Sequence, residues 1–169
     1  MSFASVLRAA WYVPLTLVLA PGILTHEYAH VAACRLTGVR VHSTPSLNPF
    51  GKAAFVDHAP TDRFGADFAI AVAPFVVNSG LAVAAFGVTR ALGSPLSLPF
   101  LWLGGCFAWT AIPSPSDTDG LLDAAGGLPR LARPVGYLLA APVRVATLLA
   151  VEGIGSLVWT VALYVVLVG

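Results

Sequence analysis

From Phe68 to Thr89 the chain carries no charged side chain, and a helix needs only about 20 mostly apolar residues to cross the hydrocarbon core of a bilayer. Lipid offers no partner to a free amide or carbonyl, so such a run is expected to fold as an α-helix that closes its own backbone hydrogen bonds. We read this span as Phe64 to Arg90. Three further segments approach the same requirement. The first, about Trp11 to Leu36, is expected to bend at Pro21-Gly22. Another, about Leu96 to Ile112, ends at Pro113-Ser114-Pro115-Ser116-Asp117, where prolines supply no amide to continue a helix. The last covers about Val145 to Val168. Between Arg130 and Arg144, Pro134 and Pro142 interrupt an apolar stretch expected to lie at the membrane interface, with a re-entrant element as the alternative.

The prediction is an all-α polytopic membrane protein with about four transmembrane helices. It forms a single membrane domain over 1–169, with a core at about 11–120 and the interfacial segment and last helix in 121–169. Composition agrees: 57% of residues are hydrophobic and 10% charged, far more apolar than a soluble chain of 169 residues requires. A net charge of +1 leaves no basic patch for nucleic acid, so partners are expected in the lipid bilayer. Cys34 and Cys106 sit in apolar helical stretches and read as buried free thiols. Arg8 followed by an apolar run resembles a signal peptide, but the run continues for a full span and reads as an uncleaved first helix.

The linker from Gly38 to Asp62 is polar. Partial alternation in "VRVHS" and "KAAFVDH", with the turn-rich "TPSLNPFG" between them, predicts a loose β-hairpin at the membrane edge. Arg35, Arg40, Lys52, Arg63, Arg130, Arg133 and Arg144 fall on one side of the four spans and only Arg8 and Arg90 on the other. The basic side is expected to be cytoplasmic, with both termini outside. The first and third helices then end on the same side, so residues at those two ends can meet.

Those ends carry the chemistry. "THEYAH" at Thr25 to His30 places two imidazoles and a carboxylate in a strongly apolar helix, where ionisable groups are costly and usually functional. Positions four apart share a helix face, so His26 and His30 can offer two nitrogens to one metal ion, while Glu27 lies about 100° round from that face. This is the arrangement of HExxH zinc hydrolases, in which the glutamate assists an attacking water and a third protein ligand comes from elsewhere. Asp117 and Asp119, at the end of the third helix, both qualify as that ligand. Glu152 is a further candidate, although pairing with Arg144 accounts for it more simply. His42, His58 and Asp123 read as solvated side chains.

Together these features resemble the site-2 protease family, intramembrane zinc metalloproteases with a three-helix core. The resemblance spans about Val13 to Gly120 and rests on HEYAH in the first helix and "GVRVHSTPSLNPFGKAAFV" as a hairpin-like linker. "APFVVNS" in the second helix and "IPSPSD" at the end of the third complete it. Ala73-Pro74 with Asn78 approximates the family's Gly-Pro-x-x-Asn feature. Pro115-Ser116-Asp117 and Asp119-Gly120 each match part of its Asn-x-x-Pro-x-x-Pro-x-Asp-Gly signature, with Trp109 or Ala111 in place of the asparagine. The resemblance implies a minimal form, without an appended soluble domain, that binds one Zn²⁺ and hydrolyses a peptide bond in a transmembrane segment of a membrane protein near the cytoplasmic face.

Asp117 is favoured as the third ligand because two prolines fix the backbone before it, and Asp119 is the alternative. Asn78 is expected either to position substrate and its developing oxyanion or to make an interhelical hydrogen bond. The hairpin-like linker is expected to receive substrate by strand addition. Two other functions fit the same residues: a non-proteolytic membrane zinc-binding or transport protein, and a different membrane zinc protease in which Glu152 is a ligand.

Overall fold

A computed structural model describes residues 12–47, 56–151 and 153–169. The chain is mostly helical with one two-stranded sheet. Residues 12–18 are helical and lead through Leu19 into α1, Ala20–Thr37. The Leu19 amide donates to Leu15 O and its carbonyl accepts from Ile23, each at 2.9 Å. Hydrogen bonds of α-helical spacing thus continue through Leu19. Pro21 occupies the first turn of α1, where no amide donor is required. Gly38 ends α1 in the left-handed region at φ 74°, which lets Val39 N–H close on Cys34 O at 2.8 Å.

Strands β1, Val41–Ser43, and β2, Asp57–His58, pair antiparallel with Val41 opposite His58 and Ser43 opposite Asp57. The expected hairpin is therefore present as a short, irregular ladder, with residues 48–55 of its connection outside the described residues. Helix α2, Phe64–Ala91, follows, then α3, Leu98–Trp109, the one-turn α4, Pro115–Thr118, and α5, Leu121–Gly126. Helices α6, Arg133–Val151, and α7, Ile154–Leu167, complete the chain.

Among the described residues, α2 alone is long and apolar enough to cross a membrane, α6 and α7 pass the same test only as one bent pair, and α3 is a shorter apolar helix. The last two helices depart from the expected boundaries. Pro134 falls in the first turn of α6, and Pro142 is accommodated within that helix, so neither breaks it. The break comes at Gly153, which takes φ 73°, and the axes on either side meet at 99°. The expected fourth helix thus begins at Ile154, and Val145 belongs to the helix before it.

Helices α1, α2 and α3 pack mutually and form the scaffold of the site. Close approach is built into the sequence: a Cβ on Gly22 would overlap the Cys106 carbonyl and the Thr110 hydroxyl, and one on Gly104 would overlap the Phe86 ring. Cys34 and Cys106 are both buried and free. The outer faces of α2, α6 and α7 carry Val76, Val77, Leu138, Leu148, Val158 and Val165, all exposed.

Candidate metal centre

The two histidines lie one turn apart on α1, largely buried, with ring centroids 5.0 Å apart. Each Nδ1 faces a main-chain carbonyl: His26 reaches Thr110 O at 2.6 Å and His30 reaches Ile70 O at 2.9 Å. A carbonyl can only accept, so each Nδ1 carries the proton and each Nε2 presents its lone pair. Both Nε2 atoms point to Asp117. His26 Nε2 lies 3.6 Å from Asp117 Oδ2, and His30 Nε2 lies 3.6 Å from Asp117 Oδ1.

Asp117 reaches this position through α4. Ser114, the residue before that helix, donates from its amide at 2.6 Å and its hydroxyl at 2.7 Å to Asp117 Oδ2. The reciprocal bond from Asp117 N–H to Ser114 O is 3.1 Å. Pro115 at the first position needs no donor, so the Ser-Pro-Ser-Asp sequence fixes the carboxylate as a capping residue. Burial works against the Asp117 carboxylate, while the two hydrogen bonds that Ser114 donates favour its ionised form. It is an ionised donor.

The donor set fits a metal ion. One atom from each of His26, His30 and Asp117 lies within 4.8 Å of the others. A separation of 3.6 Å is too long for a hydrogen bond, and His30 Nε2 is buried with no hydrogen-bond partner. Donors about 2.0 to 2.2 Å from a shared tetrahedral zinc lie about 3.3 to 3.6 Å from one another, and each imidazole lies at the upper end of that range from one oxygen of Asp117, His26 from Oδ2 and His30 from Oδ1. Two imidazoles with one carboxylate is also a donor set that zinc accepts.

Glu27 stands beside this set and outside it. Its Oε2 accepts from Val56 N–H at 3.1 Å, so the glutamate meets the linker just before β2. Glu27 lines two cavities. One, of about 470 Å³, also includes His30, Val56, His58, Asp67 and Asp117. The other, of about 370 Å³, includes His26, Trp109 and Ser114.

The remaining candidates separate clearly. Asp119 is mostly exposed and pairs with Arg144, Oδ1 to Nη1 at 2.9 Å, so it stands apart from the cluster. Arg144 also donates from Nη1 to Pro115 O at 2.8 Å and to Thr118 Oγ1 at 3.0 Å. The expected pairing of Arg144 with Glu152 involves a residue that lies outside the described residues. Asn78 is fully buried, and its Nδ2 reaches Gly22 O at 3.0 Å, Thr110 Oγ1 at 3.0 Å and Thr110 O at 3.3 Å. This is the interhelical alternative of the two expected for it, and it leaves no amide hydrogen for a substrate.

His42 and Asp123 are exposed, as expected. Sequence reasoning missed His58, which lines the Glu27 cavity, and Asp67, which does the same from the first turn of α2. Asp67 carried a signal that went unused: it is the only carboxylate inside the clearest apolar span. Comparison of the chain with protein-family models, with curated proteins and with solved structures gives no match.

Proposed function

We propose that this protein is a polytopic intramembrane zinc metalloendopeptidase, similar to the site-2 proteases, that cleaves a transmembrane segment of another membrane protein. The observation that carries the reading is the convergence of His26, His30 and Asp117 on one point, with Glu27 beside them and lining the same cavities. Exposed valines and leucines on the outer faces of α2, α6 and α7 support a lipid environment, since water-facing surfaces rarely carry apolar area on this scale. Four crossings, with the site near the cytoplasmic face, fit the distribution of Lys and Arg.

In this reading His26, His30 and Asp117 would hold one zinc ion, which would supply a Lewis acid able to make a water nucleophilic near neutral pH and to polarise a carbonyl. Glu27 takes the proton from the attacking water and delivers it to the leaving amine. In an intact helix the peptide carbonyls are hydrogen-bonded along the axis and crowded by side chains, so no peptide bond there is open to a water held beside Glu27 and Asp117. The substrate must therefore unwind at the cleaved bond.

The test is Glu27→Gln. The amide keeps the size of the side chain but cannot accept the proton, so cleavage of a transmembrane-segment substrate in detergent falls by about 10² to 10⁴ while zinc stays bound. His26→Ala and His30→Ala lose both. Cleavage by wild type that a chelator stops and Glu27→Gln lacks supports the protease. Zinc in both proteins with cleavage by neither, even of a substrate trapped from the native membrane, favours a non-proteolytic zinc binder.

A further inference from the structure

Both carbonyls that aim the histidines depend on residues of α2. Within a helix the carbonyl of residue 70 would accept the amide of residue 74. Residue 74 is Pro74, which has no N–H, and it lies inside α2. The oxygen of Ile70 is left for His30 Nδ1 at 2.9 Å. A proline inside a membrane helix is tolerated where a neighbour satisfies the freed carbonyl, and here the neighbour is the imidazole.

One turn further, Asn78 performs the matching task for the other histidine. Its Nδ2 grips Thr110 through both the carbonyl and the hydroxyl and ties them to Gly22 O. The carbonyl of Thr110 accepts from His26 Nδ1 at 2.6 Å. The direction of the amide follows from its surroundings. The Thr110 hydroxyl already donates to Cys106 O at 2.8 Å, so a reversed amide would set Oδ1 against two carbonyl oxygens. Thr110 follows the last residue of α3, so its carbonyl, like that of Ile70, lies outside the ladder of helical bonds.

We propose that Pro74 and Asn78, four residues apart on one face of α2, are the positioning residues of the metal centre. Pro74 withholds an amide from Ile70 so that its carbonyl orients His30, and Asn78 fixes Thr110 so that its carbonyl orients His26. A histidine whose Nδ1–H is held presents Nε2 in a set direction, and loss of such a partner typically lowers metal affinity 10- to 100-fold. The proposal rests on the metal-binding reading above.

The experiment measures zinc affinity by chelator competition, and the visible spectrum of the cobalt-substituted protein, for wild type, Pro74→Ala, Asn78→Leu and Ser79→Ala in detergent. Ser79→Ala is the control: it removes the bond from Trp159 on the same helix, away from the metal centre. Pro74→Ala restores the amide that competes for Ile70 and places a good helix former in a helix, so it decides the matter if Asn78→Leu does not fold. The expected result is a loss of about 10- to 100-fold in affinity for Pro74→Ala and Asn78→Leu, an altered cobalt spectrum, and wild-type values for Ser79→Ala. Affinity within twofold of wild type in Pro74→Ala, or an equal loss in Ser79→Ala, overturns the positioning roles alone. A wild type that binds neither zinc nor cobalt overturns the metal reading itself.

Discussion

Arg144 reaches across from α6 to Asp119, Nη1 to Oδ1 at 2.9 Å, and the same nitrogen holds Pro115 O and Thr118 Oγ1. One guanidinium therefore fastens the whole turn that presents Asp117, although it makes no contact with the histidines. Arg144→Met keeps the aliphatic stem and loses all three contacts. Zinc affinity is expected to fall, by less than on loss of a ligand, with the remaining decrease appearing as faster release of the ion. Stopped-flow chelator exchange measures this directly, and an unchanged release rate would refute the anchoring role.

Asp117 and Asp119 are two residues apart and have opposite fates on truncation. Asp117→Ala removes one of three donors and is expected to abolish stoichiometric zinc. Asp119→Ala removes an exposed ion pair, worth about 0 to 1 kcal/mol, and is expected to leave metal content at the wild-type level. Metal analysis of the two purified variants decides, and the reverse pattern would move the ligand two residues along.

Gly22 lets α1 approach α3 closely, with no room for a Cβ. In Gly22→Ala the new methyl meets a carbonyl and a hydroxyl that are themselves hydrogen-bonded, so the helices must separate. The expected cost is about 1 to 3 kcal/mol, read as a lower thermal midpoint in detergent. Gly80→Ala on the exposed side of α2 meets nothing within 4 Å and is expected to be neutral or slightly stabilising. Equal effects from the two changes would show that the approach of α1 to α3 tolerates a methyl group.

Orientation in the bilayer is a question of charge. A cysteine introduced at Lys52 is expected to react with a membrane-impermeant thiol reagent only from the cytoplasmic side of sealed vesicles, because the basic loops favour that side. Reaction only from outside would invert the topology.

Much of the site is legible in the sequence because its chemistry is local. His26 and His30 share a face by helical spacing alone, and Asp117 is marked by the serine and prolines that cap a turn around it. The positioning roles proposed for Pro74 and Asn78 are not legible, although the sequence marks both and offers an interhelical hydrogen bond for Asn78, since neither spacing nor composition says which carbonyl each one frees or holds. Their meaning depends on which imidazole and which helix end lie alongside. Asp119 reads in the sequence as the alternative to Asp117, and what sets it apart is Arg144, from a distant helix, which pairs with it. The misplaced start of the last helix has a similar origin. Pro142 resembles a boundary, yet the chain turns at Gly153, where a left-handed residue costs nothing.

The three donors come from chain segments far apart: two from α1 and one from the turn after α3. In the proposed reading, an ion shared by them would act as a reversible staple, closing a long loop much as a disulfide does and restricting the unfolded chain more than the folded one. The site would then have a mechanical role beside its chemical one. It would add one more tie between the helix that carries the histidines and the turn after α3, beside the packing and the hydrogen bonds that already join α1 to its neighbours.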